Sequence, residues 1–167
     1  MAIGGDSAGA QIASQVAAVE TNASFAQKVG ITAALAPSQL RATVLYCGLY
    51  DMDTVGSTGF PALRTYLWAY TGQRDWQSYP RIDELSTTRN ATSAYPATFL
   101  TVGDADPFES QGVELAAALR QREVPVTALL WAGSGDGLGH EYQFDYSLPQ
   151  ARTAFADTID FVNERLR

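Results

Sequence analysis

The chain of 167 residues holds one cysteine, one histidine, and 11 lysines and arginines against 18 acidic residues. Each scarcity excludes something. A single cysteine, Cys47, permits no disulfide within the chain. Its place in the apolar run Val44-Leu45-Tyr46-Cys47 reads as core and not as a reactive thiol. A net charge of -7 argues against nucleic acid or an anionic membrane surface as a partner, because both favour a basic face. No run has the length of a membrane span or the layout of a signal peptide, so a cytoplasmic protein is expected. The sequons Asn22-Ala23-Ser24 and Asn90-Ala91-Thr92 then read as chance. Internal repeats and low-complexity segments are lacking too. What remains is the balance of a folded domain, 46% apolar and 17% charged, of a length that suits one domain with a real core.

The most informative stretch stands at the start. Gly5-Asp6-Ser7-Ala8-Gly9 matches G-x-S-x-G, the pattern of a nucleophile elbow. In such an elbow a serine occupies a strained strand-to-helix turn that lifts its hydroxyl clear of the sheet. Gly5 and Gly9 would then be needed because a Cβ at either would meet neighbouring backbone. The context agrees: a short apolar lead-in from Ala2, then Ala10, Ile12, Ala13, Val16 and Ala17 at helical spacing. A helix beginning behind Ser7 would aim N–H groups, that of Ala8 first, at a developing oxyanion. The bland alternative is a tight glycine-rich turn.

Further along, strands and helices alternate. The helix after the elbow should run to about Ala18 or Glu20, and Phe25 to Leu40, with Gly30 and Pro37, should be irregular. Ala42–Tyr46 reads as a strand buried on both faces. A long aromatic-rich insertion follows at about 51–95, with a helix near Pro61 to Tyr70 and proline at its first position. Phe60, Tyr66, Trp68, Tyr70, Trp76 and Tyr79 could line an apolar pocket there, Tyr66, Trp68 and Trp76 foremost, although aromatics at helical spacing also serve as plain core. Ala97–Val102 and Val126–Trp131 are further strands. Between them a helix from about Ser110 to Arg122 should turn Val113, Leu115, Ala116 and Leu119 inward. A last helix, about Leu148 to Leu166, carries Ala151, Phe155, Ile159 and Val162 on one face. This alternation predicts an α/β fold with a mostly parallel sheet flanked by helices.

Function in such sheets gathers at the carboxyl ends of strands. Three of those ends offer Ser7, Asp106 and His140, in the chain order of the α/β-hydrolase triad. Each type has a job: the histidine takes and returns the proton that a weakly acidic serine must lose, and a buried carboxylate orients the imidazole. A lone histidine alone says little, but His140 sits on the glycine-rich loop Gly133–Gly139 just after a strand. Asp104 competes with Asp106 and could instead serve as an orienting acceptor beside it. Turn chemistry is the plain alternative for both.

These motifs resemble those of the hormone-sensitive-lipase-like esterases and carboxylesterases. Gly5-Asp6-Ser7-Ala8-Gly9 looks like their elbow. Asp106-Pro107-Phe108 followed by Gly112 is similar to their acid motif, and Gly139-His140 followed by Phe144 to their histidine motif. The resemblance implies a single α/β-hydrolase catalytic domain with Ser7 as nucleophile, Asp106 as acid and His140 as base. It implies a small carboxylic ester as substrate and neither metal nor organic cofactor. One departure stands out. The family's His-Gly-Gly-Gly oxyanion motif lies well upstream of the elbow, and only Met1 to Gly4 precede it here. The expectation is therefore a carboxyl-terminal portion lacking the first strands, weakly active, with an exposed elbow-strand edge open to dimerisation or other association. A serine peptidase or acyltransferase would use the same triad, and a non-catalytic binding module is the reading from outside enzymology.

Overall fold

In the computed structural model, which describes residues 1–36 and 38–167, four parallel strands form one sheet in the order β1-β2-β3-β4. They are β1 (Ala2–Asp6), β2 (Ala42–Tyr46), β3 (Ala97–Val102) and β4 (Val126–Leu130). The register sets Ala2 opposite Ala42, Ala42 opposite Ala97 and Thr98 opposite Val126. A parallel neighbour can be reached only by a crossover, and helices supply each one. Helices α1 (Ala8–Thr21) and α2 (Ala23–Val29) join β1 to β2. The long connection from β2 to β3 holds α3 (Leu63–Thr71) and the single turn α4 (Thr87–Asn90). Helix α5 (Glu109–Gln121) joins β3 to β4, and α6 (Pro149–Leu166) closes the chain.

Side-chain alternation along the strands divides the interior into two layers. Leu45 and Leu100 face one way, into a core with Ala10, Ala13 and Ala17 of α1 and Leu115 and Leu119 of α5. Ala42 and Phe99 face the other way, onto Phe161 of α6. Alanine at four buried positions of α1 (Ala10, Ala13, Ala17 and Ala18) lets that helix lie close to the sheet, which brings its first turn over the end of β1. A satellite core of Met52, Val55, Leu63, Leu67 and Trp76 fills the insertion and meets Phe108 at the start of α5.

Several sequence expectations need correction. The stretch from Phe25 contains α2, capped by the Asn22 side chain, which accepts from the Phe25 N–H at 3.0 Å. Pro37 lies outside the described residues. Helix α3 begins at Leu63, not at Pro61, because Ala62 takes a left-handed conformation (φ 56°) that breaks the helical path between them. Val113 is exposed, while Leu115, Ala116 and Leu119 are buried as expected and Gln111 and Gly112 join them on that face. On α6 the inward stripe is Ala151, Ala154 and Phe161, while Phe155 and Ile159 point outward, where Phe155 packs edge-on against Tyr146. Small alanines on the stripe let α6 approach β2 and β3, and the bulkier residues cover its outer side.

This assignment separates two aromatic truncations. Phe161→Ala should cost about 3–5 kcal/mol by leaving a cavity against Phe99, whereas Phe155→Ala at the surface should cost about 0.5 kcal/mol. Urea unfolding followed by circular dichroism checks both.

Candidate active site

The site is built from three turns that follow β1, β3 and β4. Ser7 lies between β1 and α1 with φ 51° and ψ -119°, a left-handed backbone that no ordinary turn of an L-residue requires. Its N–H still bonds the Tyr46 carbonyl at 2.9 Å, and its own carbonyl accepts from the Gln11 N–H at 3.1 Å. The chain thus reverses within one residue, and the hydroxyl stands at the tip. Gly5 makes this feasible, because a Cβ there would sit 2.3 Å from the Gly9 backbone. At Gly9 a Cβ would meet nothing within 4 Å, so the steric demand falls on Gly5 alone and the expectation for Gly9 is corrected. The first turn of α1 begins at Ala8, whose N–H has no intrahelical carbonyl one turn back to bond.

The turn after β3 and the loop after β4 hold one another. Ala105 N–H donates to the Leu138 carbonyl at 2.9 Å, and Asp104 accepts from the N–H groups of Leu138 at 2.6 Å and Gly137 at 3.2 Å. These bonds hold the Asp104 carboxyl below its ordinary range. Gly103 permits the contact: a Cβ there would lie 2.1 Å from the Leu138 oxygen. Gly133, Gly135 and Gly137 take positive φ angles along the same loop. Asp104 therefore fastens the histidine loop and stands off the imidazole.

Asp106 and His140 meet in consequence. Buried Asp106 accepts from the Phe108 N–H at 2.8 Å with one oxygen and pairs with His140 Nδ1 at 2.9 Å with the other. His140 Nε2 lies 2.9 Å from Ser7 Oγ. Two stacked rings, Phe60 and Phe108 (4.4 Å between centroids), wall the imidazole, each set edge-on to it at 5.0 and 5.5 Å. Burial opposes a charge on His140. The hydrogen bond and charge of Asp106, with the charges of Glu141 and Asp6, outweigh it, and the pKa is raised. Asp6, beside the serine, is pushed up to about 6 by burial first and then by the bond and charge it shares with Glu141.

Gln143 ties this cluster to β2. Its Nε2 donates to Asp6 at 2.6 Å and its Oε1 accepts from the Cys47 thiol at 3.2 Å. Cys47, Asp106 and His140 place one donor atom each within 4.8 Å of one another. Each is already engaged: Asp106 pairs with His140, and the Cys47 thiol, its pKa pushed far up by burial, donates to Gln143.

A cleft of about 640 Å³ opens over Ser7 and His140, lined mainly by Leu49, Phe60, Leu63, Leu67 and Phe108. Of the three foremost aromatic candidates only Tyr66 lines it, joined by Phe60 and Tyr70 from the wider set. Trp68 is exposed on α3, and Trp76 is buried in the satellite core, where it packs with Val55 and Leu67. Periodicity put all three in one segment but could not say which face of α3 looks toward the elbow. Gln11, Phe108 and Glu141 also line the cleft and were missed. Gln11 could have been found from its position one helical turn beyond Ser7, and Glu141 from its place next to His140.

A family model described as alpha/beta hydrolase fold matches residues 1–140. No match to a curated protein was found. Among solved structures the chain is similar to an inhibited esterase B from Lactobacillus rhamnosis, at 20% identity and a TM-score of 0.74, over 97% of this chain and 52% of that one. It is also similar to an esterase from Pyrobaculum calidifontis, at 21% identity and TM-score 0.61, over 94% of this chain and 50% of that one. A thermophilic esterase from Thermogutta terrifontis matches at 17% identity and TM-score 0.60, over 98% and 55%. The chain thus spans about half the length of these structures, and the likeness is one of fold.

His140 is the chain's only histidine, so its titration can be followed by NMR without assignment. Its pKa should lie above the ordinary 6.5 and fall on Asp106→Asn. The linked stability has a definite sign. It is present in full below the ordinary value and is lost as pH rises through the raised folded value. Asp106→Asn should flatten that part of the stability–pH profile, measured by urea titration at several pH values.

Proposed function

Because the chain belongs to the α/β-hydrolase family, we propose that it hydrolyses carboxylic esters through an acyl-enzyme on Ser7. One observation carries the reading: Ser7 Oγ, His140 and Asp106 stand in a single line of hydrogen bonds, 2.9 Å at each joint. In this reading His140 Nε2 takes the hydroxyl proton as Ser7 Oγ bonds to the ester carbonyl carbon. The carbonyl oxygen gains negative charge, and the Ala8 N–H at the start of α1 faces it. Collapse breaks the carbon–oxygen bond to the alcohol, which leaves with the proton from His140. Water then adds to the acyl-serine with His140 again as base, and the carboxylic acid departs. Asp106 stabilises the imidazolium formed twice in this cycle and fixes the tautomer that presents Nε2 as acceptor.

The apolar lining favours a short acyl or alkyl portion over a charged one. A serine peptidase or acyltransferase would draw on the same three residues, and turnover of matched ester and amide substrates separates them. A non-catalytic binding module fits less well, because nothing in binding alone calls for a serine on a strained turn beside an oriented imidazole.

Turnover of p-nitrophenyl butyrate is the direct test. Ser7→Ala should lower kcat by roughly a millionfold, by analogy with triad serines, and Asp106→Asn by about ten-thousandfold. Asp104→Asn, which alters a residue bonded to the loop and not to the imidazole, should do far less. Activity should fall as pH drops through the raised pKa of His140, since only the neutral imidazole accepts the serine proton. Residual activity in Ser7→Ala equal to that of the parent would contradict the reading.

A further inference from the structure

Gln11 stands one helical turn beyond Ser7 on α1 and contributes to the lining of the cleft. It is 4% exposed, yet its Nε2 has no hydrogen-bond partner. Its Oε1 accepts from the Tyr70 hydroxyl at 3.4 Å, a long and weak bond. Turning the amide over does not cure the defect. The nitrogen would then meet Tyr70, and the oxygen would be left alone. The neighbouring polar groups on the same helix are all paired: the Ser14 hydroxyl bonds Thr87 and the Gln11 carbonyl, and Gln15 donates to the Glu84 carbonyl. Among the described residues the other orphaned side-chain atoms belong to Gln150 and Arg165 of α6, away from the cleft. Buried amides are almost always satisfied, and each exception asks for a reason.

We infer that the Gln11 amide is a subsite for a hydroxyl group carried by the substrate ester, a refinement that rests on the ester-hydrolase reading above. A hydroxyl both donates and accepts, so it satisfies the amide in either orientation, which a methyl group of the same size cannot. Tyr70, also in the lining, has its hydroxyl 3.4 Å from the amide oxygen. Its side chain is 53% exposed at the rim of the cleft, so it can yield its place and bond water instead. Most of the remaining lining is hydrocarbon, its other polar groups being those of Ser7, Tyr66, His140 and Glu141. Gln11 therefore discriminates between esters of equal shape, in the way a site with a buried polar group rejects an analogue that leaves that group unpaired.

The test uses three esters of one size: propyl butyrate, 2-hydroxyethyl butyrate with the hydroxyl on the alcohol side, and propyl 3-hydroxypropanoate with it on the acyl side. Dissociation constants are measured with the Ser7→Ala protein, so that the ligand survives, and again with Gln11→Met added. One hydroxyl ester should bind better relative to propyl butyrate by about fivefold to tenfold with Gln11, and that advantage should vanish with methionine. Which ester shows it tells whether the subsite serves the acyl or the alcohol portion. An equal ratio with and without Gln11, or no binding of either hydroxyl ester, overturns the inference. Should the double variant fail to fold, the side-chain amide resonances of Gln11 in the Ser7→Ala protein give the same answer. They should move with a hydroxyl ester and stay with propyl butyrate. Turnover of propyl butyrate by the parent chain reports separately on the ester-hydrolase reading, since it can persist while the affinity ratio fails.

Discussion

The cleft depends on the backbone of one residue. Ser7 keeps its left-handed conformation because β1 and α1 are packed so closely behind it that Gly5 lies against the Gly9 backbone. Strain of this kind persists only where the surroundings over-determine it. Here the determinants are the β1–β2 ladder continued through the Ser7 N–H and the alanine face of α1 pressed on the sheet. Relax that contact and the hydroxyl falls back toward the sheet, out of reach of His140.

The second constraint is the seam between the turn after β3 and the loop after β4. A glycine-rich loop is costly to order, and this one is ordered by backbone bonds at Leu138 and by the Asp104 carboxylate. The two aspartates thus divide the labour: Asp104 binds backbone and sets where the loop runs, and Asp106 binds the imidazole and sets which way it faces. Gln143 adds a third tie from the far side of His140, joining Asp6 at the elbow to Cys47 at the end of β2. The hydrogen bond and charge of Asp106, with the charges of Glu141 and Asp6, raise the His140 pKa despite burial.

Much of this was legible in the sequence because glycine, proline and single polar residues at strand ends carry strong local signals. Ser7, Asp106 and His140 stand out by type and order, and all four strands were marked by apolar runs. Helix faces were not legible in the same way. On α6 the sequence offers both Phe155 and Phe161, and only contact with Phe99 decides that the second is buried. The aromatic insertion failed for the same reason, since Tyr66 and Trp68 are two residues apart on one helix and point to different surroundings. Helical spacing from Ser7 marks Gln11 as a neighbour of the site, but its orphaned amide nitrogen is visible only once the surrounding side chains are in place.

In the proposed mechanism His140 activates Ser7 for attack. A p-nitrophenyl alkylphosphonate tests it directly, because it captures a serine only when that serine is nucleophilic. Mass spectrometry of the treated chain should show one adduct, mapped to the peptide containing Ser7, forming more slowly as pH falls through the pKa of His140. An unmodified chain, or an adduct on another residue at a rate indifferent to that pH range, would contradict the account.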